Sequence, residues 1–145
     1  SLSGVFSSGD EVVCTVTPTD GDDSGSAVSG SVTIGNTAPT VTDVTLSPSE
    51  VYTNDVLTAS VSTDDEDGDS VTLSYAWYVD GSLVLEGTGE DALDGATYFD
   101  KNDEVYVDVT PADSSSDGDA LSSDSVVVLN TAPPRVSVSY LRKNV

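Results

Sequence analysis

Hydrophobic and polar residues alternate through most of the middle of the chain, which is the period of a half-buried β-strand. The longest alternation places five apolar or aromatic side chains on one face: Val71, Leu73, Tyr75, Trp77 and Val79. Shorter alternations have their apolar positions at Val44 and Leu46, at Leu57, Ala59 and Val61, and at Val105, Val107 and Val109, and a continuous apolar run from Val126 to Leu129 forms the last predicted strand. Because no stretch has a helical period, the pattern predicts an all-β fold.

Turn signals separate these stretches. The clearest is Asp80-Gly81, since this dipeptide tolerates the positive backbone angles that a two-residue hairpin turn needs. About seven short strands with turns every ten residues or so, and a single tryptophan on the third strand, are typical of a two-sheet sandwich. We therefore expect Trp77 to fill the core rather than to form a sugar-binding platform.

The segment from Gly9 to Pro39 recurs, with small changes, as Asn102 to Pro133. Two anchors set the register: residues 10–12 (Asp-Glu-Val) return at 103–105, an offset of 93, and residues 36–39 (Asn-Thr-Ala-Pro) return at 130–133, an offset of 94. One residue is therefore inserted between the anchors. A repeat of about 94 residues predicts a row of whole domains rather than a solenoid of small units.

This register divides the chain into three parts. Residues 1–38 form the C-terminal part of one module, residues 39–132 a complete module, and residues 133–145 the first strand of a following module. We expect the parent polypeptide to continue in both directions; the alternative is that neighbouring chains supply the missing strands. Cys14 occupies the position of Val107 on an inward face, so we expect a buried thiol.

Three strings in this chain resemble a known class of repeats: residues 73–81 (LSYAWYVDG), residues 103–111 (DEVYVDVTP) and the two Asn-Thr-Ala-Pro junctions. They are similar to the immunoglobulin-like, PKD-like and cadherin-like tandem repeats of very large microbial surface and secreted proteins. The resemblance implies Greek-key β-sandwich modules of about seven strands and an extracellular or cell-surface location. It also implies a role as a stalk, fibre or spacer. The resemblance is more specific about the fold and the extracellular setting than about a function.

Charge and composition exclude several functions. The chain has 26 Asp plus Glu against 4 Lys plus Arg, a net charge of −22, with no His and one Cys. Nucleic acids and anionic membrane surfaces would be repelled, so neither is an expected partner. One cysteine rules out an intrachain disulfide framework. Without histidine there is no Cys-His or Ser-His pair, and we expect no enzymatic activity.

The candidate for chemistry is an acidic run at residues 64–69 (DDEDGD). Alternating carboxylates around a glycine turn suit calcium, which takes six to eight oxygen ligands in irregular geometry. This run follows the second strand. In an immunoglobulin-like sandwich the loop before the last strand, which here contains Asp113, lies at the same end as the loop after the second strand. The candidate calcium ligands are therefore Asp65, Asp67, Asp69 and Asp113. The alternative is that these residues form only solvated turns, since Asp and Gly favour turns for backbone reasons.

Three functions remain open on the sequence. The leading one is a structural module of an extracellular fibre, filament or adhesin stalk, stiffened by calcium, with neighbouring modules and identical chains as partners. The second is a carbohydrate- or receptor-binding adhesin module that uses Tyr78 and Tyr106 on the outer face. The third is an accessory domain of a secreted hydrolase. An array of near-identical modules favours the first, because repetition adds length and multivalency.

Overall fold

The computed structural model of the protein describes residues 6–131, so the segment 133–145 predicted to begin a third module lies outside the described residues. Regular structure in the described range is β-strand apart from one helical turn. The elements are β1 (Glu11–Val16), β2 (Val28–Thr33), β3 (Thr40–Ser47), β4 (Val56–Asp64), β5 (Thr72–Val79), β6 (Ser82–Thr88), β7 (Ala92–Asp94), α1 (Gly95–Tyr98), β8 (Glu104–Ala112), β9 (Leu121–Ser122) and β10 (Val126–Val127). The all-β prediction is confirmed.

The strands form three sheets, and all of their pairings are antiparallel. β1 pairs with β2 in a two-stranded sheet. β3, β4 and β7 form a second sheet in that order, and the third has the order β10-β8-β5-β6, with β9 also paired to β8.

One hydrophobic core joins the two larger sheets in a sandwich-like arrangement. Its buried side chains come from both sheets and from the adjoining loops: Leu46, Val51, Leu57, Ala59, Tyr75, Trp77, Val79, Leu93, Phe99, Val105, Val107, Val109 and Val128. Trp77 is fully buried and its indole Nε1 donates a hydrogen bond of 2.8 Å to the carbonyl oxygen of Glu90. The predicted alternation on β4, β5 and β8 and the core position of Trp77 are therefore confirmed.

The hairpin between β5 and β6 turns at Asp80-Gly81, as predicted. Asp80 has φ 49° and Gly81 has φ 75°, the positive angles of a two-residue turn. The Asp80 carboxylate accepts a 3.0 Å hydrogen bond from the backbone N–H of Glu104, and the Asp80 N–H donates to the Glu104 carbonyl at 2.9 Å. The turn is therefore fastened to the start of β8.

The last part of the sandwich differs from the prediction of a single strand at Val126 to Leu129. The structure has two short strands there, β9 and β10, and both pair with β8. One helical turn, α1, was also not predicted from the sequence. It begins after Asp94, whose carboxylate accepts from the N–H of Ala96 at 3.2 Å.

The β1–β2 hairpin has the same pairing register as β8 with β9 and β10. Four residue pairs correspond at the sequence offsets of 93 and 94: Glu11–Thr33 with Glu104–Val127, Val12–Val32 with Val105–Val126, Thr15–Ser29 with Asp108–Ser122, and Val16–Val28 with Val109–Leu121. The inserted residue falls between Ser122 and Val126. It explains why β2 is continuous while its counterpart is divided into β9 and β10.

The prediction that Cys14 is buried is wrong. Its thiol is exposed, whereas Val107 at the equivalent position is fully buried. The difference comes from the surroundings of the two strands. β8 lies between β5 and β9–β10 and faces the other sheet of the sandwich, whereas in the described range β1 pairs only with β2.

Candidate metal centre

Three of the four predicted metal ligands come together in the loop between β4 and β5. Asp65, Asp67 and Asp69 each bring one carboxylate oxygen to within 4.8 Å of the others. Two ligands on opposite sides of a cation with bond lengths of about 2.4 Å would lie about 4.8 Å apart. The three oxygens therefore fit within one coordination sphere of a calcium-sized ion.

Asp65 organises this loop. Its Oδ1 accepts hydrogen bonds from the backbone N–H groups of Asp67 at 3.0 Å and Asp69 at 2.9 Å. Its carbonyl oxygen accepts from the N–H of Gly68 at 3.2 Å, and Gly68 has φ 77°, a value that favours glycine. The Asp and Gly residues thus fold the chain so that alternate carboxylates lie on one side.

The second oxygen of Asp65 supports a cation at this position. Asp65 Oδ2 is buried and has no hydrogen-bond partner among the described residues. A buried carboxylate oxygen without a partner is costly, and a bound ion or water would relieve that cost. Lys101 is the single Lys or Arg between residues 6 and 131, so side-chain cations do little to neutralise the loop.

The chemistry of the cluster is that of a hard-cation site. Carboxylate oxygens are the ligands that calcium and magnesium prefer, and three of them supply part of the six to eight oxygens that calcium takes. The remaining ligands would come from backbone carbonyls or water. The cluster has the ligands to hold a metal ion.

Asp113, the fourth predicted ligand, lies outside this cluster of three. Its Oδ1 accepts from the backbone N–H groups of Ser115 at 2.6 Å and Ser116 at 2.7 Å, and its Oδ2 accepts from Nδ2 of Asn36 at 2.9 Å. The Asn36 hydrogen bond, followed by that from Ser115, lowers the pKa of the Asp113 carboxyl below its ordinary value of 3.8. Asp113 therefore fastens the linker.

The linker ahead of β3 lies between the two acidic loops. The backbone N–H of Thr37 donates a 2.6 Å hydrogen bond to Asp67 Oδ2, while Asn36 Nδ2 donates to Ser116 Oγ at 2.8 Å in addition to Asp113. Pro39 is buried, and its carbonyl oxygen lies directly against Gly118. The sequence predicted both acidic loops at this end, but not the hydrogen bonds that the Asn36 side chain makes there. The available signal was the recurrence of Asn-Thr-Ala-Pro.

The aromatic pair considered for sugar binding is also formed. Tyr78 on β5 and Tyr106 on β8 stack with their ring centroids 4.9 Å apart and their planes 8° from parallel. Each ring therefore covers one face of the other. Both residues are half-buried, and this leaves less aromatic surface for a ligand than two separate rings would offer.

The fold and the acidic loop define the class of this molecule as an all-β, sandwich-like protein with a candidate hard-cation site. Comparisons with protein-family models, with curated proteins and with solved structures found no significant match. Within residues 6–131, no helix combines the length and the apolar character that a membrane crossing requires.

Proposed function

We propose that this chain is part of an extracellular stalk or filament built from tandem immunoglobulin-like modules. In this proposal, calcium bound by Asp65, Asp67 and Asp69 stiffens the junction ahead of the complete module. The proposal concerns a structural protein whose repetition provides length, with neighbouring modules of the same chain as its first partners and identical chains in a fibre as further ones.

The strand order supports the immunoglobulin-like part of the proposal. The sheet β3-β4-β7 faces a sheet in which β8 lies beside β5 and β5 beside β6. Immunoglobulin-like sandwiches divide their strands in the same way, with strands A, B and E in one sheet and C, F and G in the other. The buried Trp77 on the third strand of the module, β5, fits the same class.

The observation that carries the calcium part is the hydrogen bond from the Thr37 N–H to Asp67 Oδ2, 2.6 Å long. It joins the linker to one of the three clustered carboxylates. A cation bound there would fix the position of Asp67 and, through it, the backbone of the linker. The linker connects β2 to β3, so the same ion would restrain the junction between the two repeats.

A calcium titration of the whole chain tests the site. Extracellular calcium modules commonly have Kd values of about 0.1–1 mM, so 10 mM calcium should stabilise the folded state by about 1–3 kcal/mol. For a domain of this size that raises Tm by about 5 °C or more. Sodium chloride at equal ionic strength is the reference, because added salt also screens the self-repulsion of a chain with net charge −22.

Two variants separate specific binding from screening. Asp65→Asn removes a charge from the cluster and should abolish the calcium-specific rise in Tm. Asp124→Asn removes the same charge at an exposed position and should behave like the unmodified chain. Equal Tm values in calcium and in the sodium reference would refute the calcium site.

Small-angle scattering of an array of complete modules tests the stalk. Each module should lengthen the particle by about 40 Å if its strands run along the long axis. With calcium the array should be a rod, and with chelator it should become more flexible. A compact particle in both conditions would contradict the stalk.

A further inference from the structure

We propose that the β1–β2 hairpin is one half of a second sandwich and that its open side binds a segment with the sequence of residues 36–93. That segment contains the linker and the strands from β3 into β7. The inference rests on the tandem-module part of the proposed function, and it does not depend on calcium or on the location of the protein.

The hairpin and its counterpart have the same pairing register, and they also have equivalent hydrogen bonds outside the strands. The connecting loops close in the same way, and so do the strand ends. Examples at the offsets of 93 and 94 are Gly25 N–H to Pro18 O (2.9 Å) with Gly118 N–H to Pro111 O (2.8 Å), and Ile34 N–H to Asp10 O (2.8 Å) with Val128 N–H to Asp103 O (2.9 Å). The β1–β2 hairpin therefore has the backbone structure of the β8–β10 half of the complete module.

In the complete module the equivalent face is covered. Val105, Val107 and Val109 of β8 are fully buried, because β5 pairs along one edge of β8 and the sheet β3-β4-β7 contributes to the same core. The equivalent residues of β1 are Val12, Cys14 and Val16. Cys14 is exposed, and Val16 exposes 61% of its surface. The hairpin thus keeps the apolar face, but no strand within residues 6–131 covers it.

The loop after β1 keeps the features that receive a linker. Asp20 Oδ1 accepts from the N–H groups of Asp22 at 3.1 Å and Asp23 at 2.9 Å, as Asp113 Oδ1 accepts from Ser115 and Ser116. Gly25 lies against Pro18 as Gly118 lies against Pro111. In the complete module the equivalent loop, after β8, contacts Asn36 through Asp113 and Pro39 through Gly118. The covering segment is therefore expected to begin with a copy of Asn36.

These features select a copy of this sequence over an unrelated sheet. Within residues 6–131 only β2 pairs with β1, so the other edge of β1 offers its backbone groups to a further strand. The period of two residues then requires a partner whose apolar residues face the same side. A copy of β5 meets that requirement because β5 already pairs with the equivalent strand β8. A copy of Asn36 would add the polar contact to Asp20 that an unrelated strand lacks.

Attaching a copy of residues 36–93 directly before Ser1 of the full chain tests the inference. At the offset of 93, Ser1 corresponds to Asp94 and so follows a copy of Leu93. The measurement is the rate at which a thiol reagent modifies Cys14, in the presence of chelator. In the original chain the rate should be close to that in urea. In the extended chain it should be about 100-fold slower or more, because modification then requires opening of a packed core.

A cross-link tests the register without disturbing the core. Ala76 pairs with Asp108, the equivalent of Thr15, so a copied Ala76 should lie opposite Thr15. In the extended chain with Cys14→Val, cysteines at Thr15 and at the copied Ala76 should form a disulfide readily, because opposite Cα atoms lie about 4.5–5.5 Å apart. Thr15→Cys with cysteine at the copied Ser74, a diagonal pair about 7–8 Å apart, is the control.

Several results would overturn the inference. One is a rate of Cys14 modification that is the same in the extended chain as in the original chain. Another is equal cross-linking of the two cysteine pairs. A third is an original chain that protects Cys14 by dimerising, since a second complete copy would then cover the face. A failed calcium titration leaves all of these measurements unaffected, so failure of the metal site and failure of this inference are distinguishable.

Discussion

The side-chain amide of Asn36 donates a 2.9 Å hydrogen bond to the carboxylate of Asp113, 77 residues further along the chain. The same nitrogen donates to Ser116 Oγ at 2.8 Å. This contact holds the linker ahead of β3 against the loop after β8. The entry to the module and the loop at its far end in sequence therefore form one polar junction.

Asn36→Ala should lower Tm by a few degrees, because Asp113 and Ser116 lose their shared donor and the linker loses its fastening. Thermal unfolding followed by Trp77 fluorescence measures the effect. Asn130→Ala is the matched control, since Asn130 is the same residue of the repeated tetrapeptide and is exposed. An equal loss in both variants would show that the Asn36 contact does not stabilise the module.

Gly118→Ala should destabilise the module by about 1–3 kcal/mol, the usual cost of overpacking. The added Cβ would overlap the carbonyl oxygen of Pro39, a backbone atom that cannot rotate away. Gly25→Ala is the control in the repeat, because its Cβ would meet the ring of Pro18 at 2.9 Å, as that of Gly118→Ala meets the ring of Pro111, but would overlap no backbone atom. Denaturant unfolding of both variants should show the larger loss at Gly118. A neutral Gly118→Ala would mean that the linker is loosely held.

The docking of the linker should depend on pH through Asp113. Because folding lowers the pKa of this carboxyl, its contribution to stability is complete above the unfolded pKa of about 3.8 and is lost as the pH falls through the lower folded value. Protonation of other carboxylates relieves self-repulsion and acts in the opposite direction, so the informative quantity is a difference. We expect the stability gap between the unmodified chain and Asp113→Asn to narrow between pH 5 and pH 2, measured by thermal unfolding. A constant gap would contradict this role.

Trp77→Phe should cost about 1–3 kcal/mol, because it leaves the carbonyl oxygen of Glu90 without its indole donor and removes part of a fully buried side chain. Tyr78→Phe on the opposite face of β5 retains the ring that stacks on Tyr106 and should change stability by less than about 0.5 kcal/mol. Circular dichroism in urea measures both variants. Similar losses of stability in the two variants would show that the buried indole and its hydrogen bond contribute no more than the outer-face hydroxyl.

Much of the fold could be predicted because strand signals are local. The alternation on β4, β5 and β8 identified the inward residues, and Asp80-Gly81 identified the hairpin turn. The division into β9 and β10 was not predicted. It results from one inserted residue, and its structural effect depends on the pairing of both strands with β8 rather than on their own composition.

The candidate site, too, could be predicted only where its residues are close in sequence. Asp65, Asp67 and Asp69 are close in sequence, so a single glycine turn brings them together. Asp113 contacts the same linker as this loop, but its hydrogen-bond partner could not be identified from the sequence. The contact with Asn36 joins residues 77 apart in sequence, and local alternation does not predict such a distant pair.

The sequence by itself determined which residues alternate, where the hairpin turns, and which segments repeat, because these depend on backbone geometry over a few residues. Only the tertiary structure decided which faces are covered. Cys14 and Val107 occupy equivalent positions in strands of equal register, yet one is exposed and the other is fully buried. Burial requires a second layer of strands, and those strands come from distant parts of the chain.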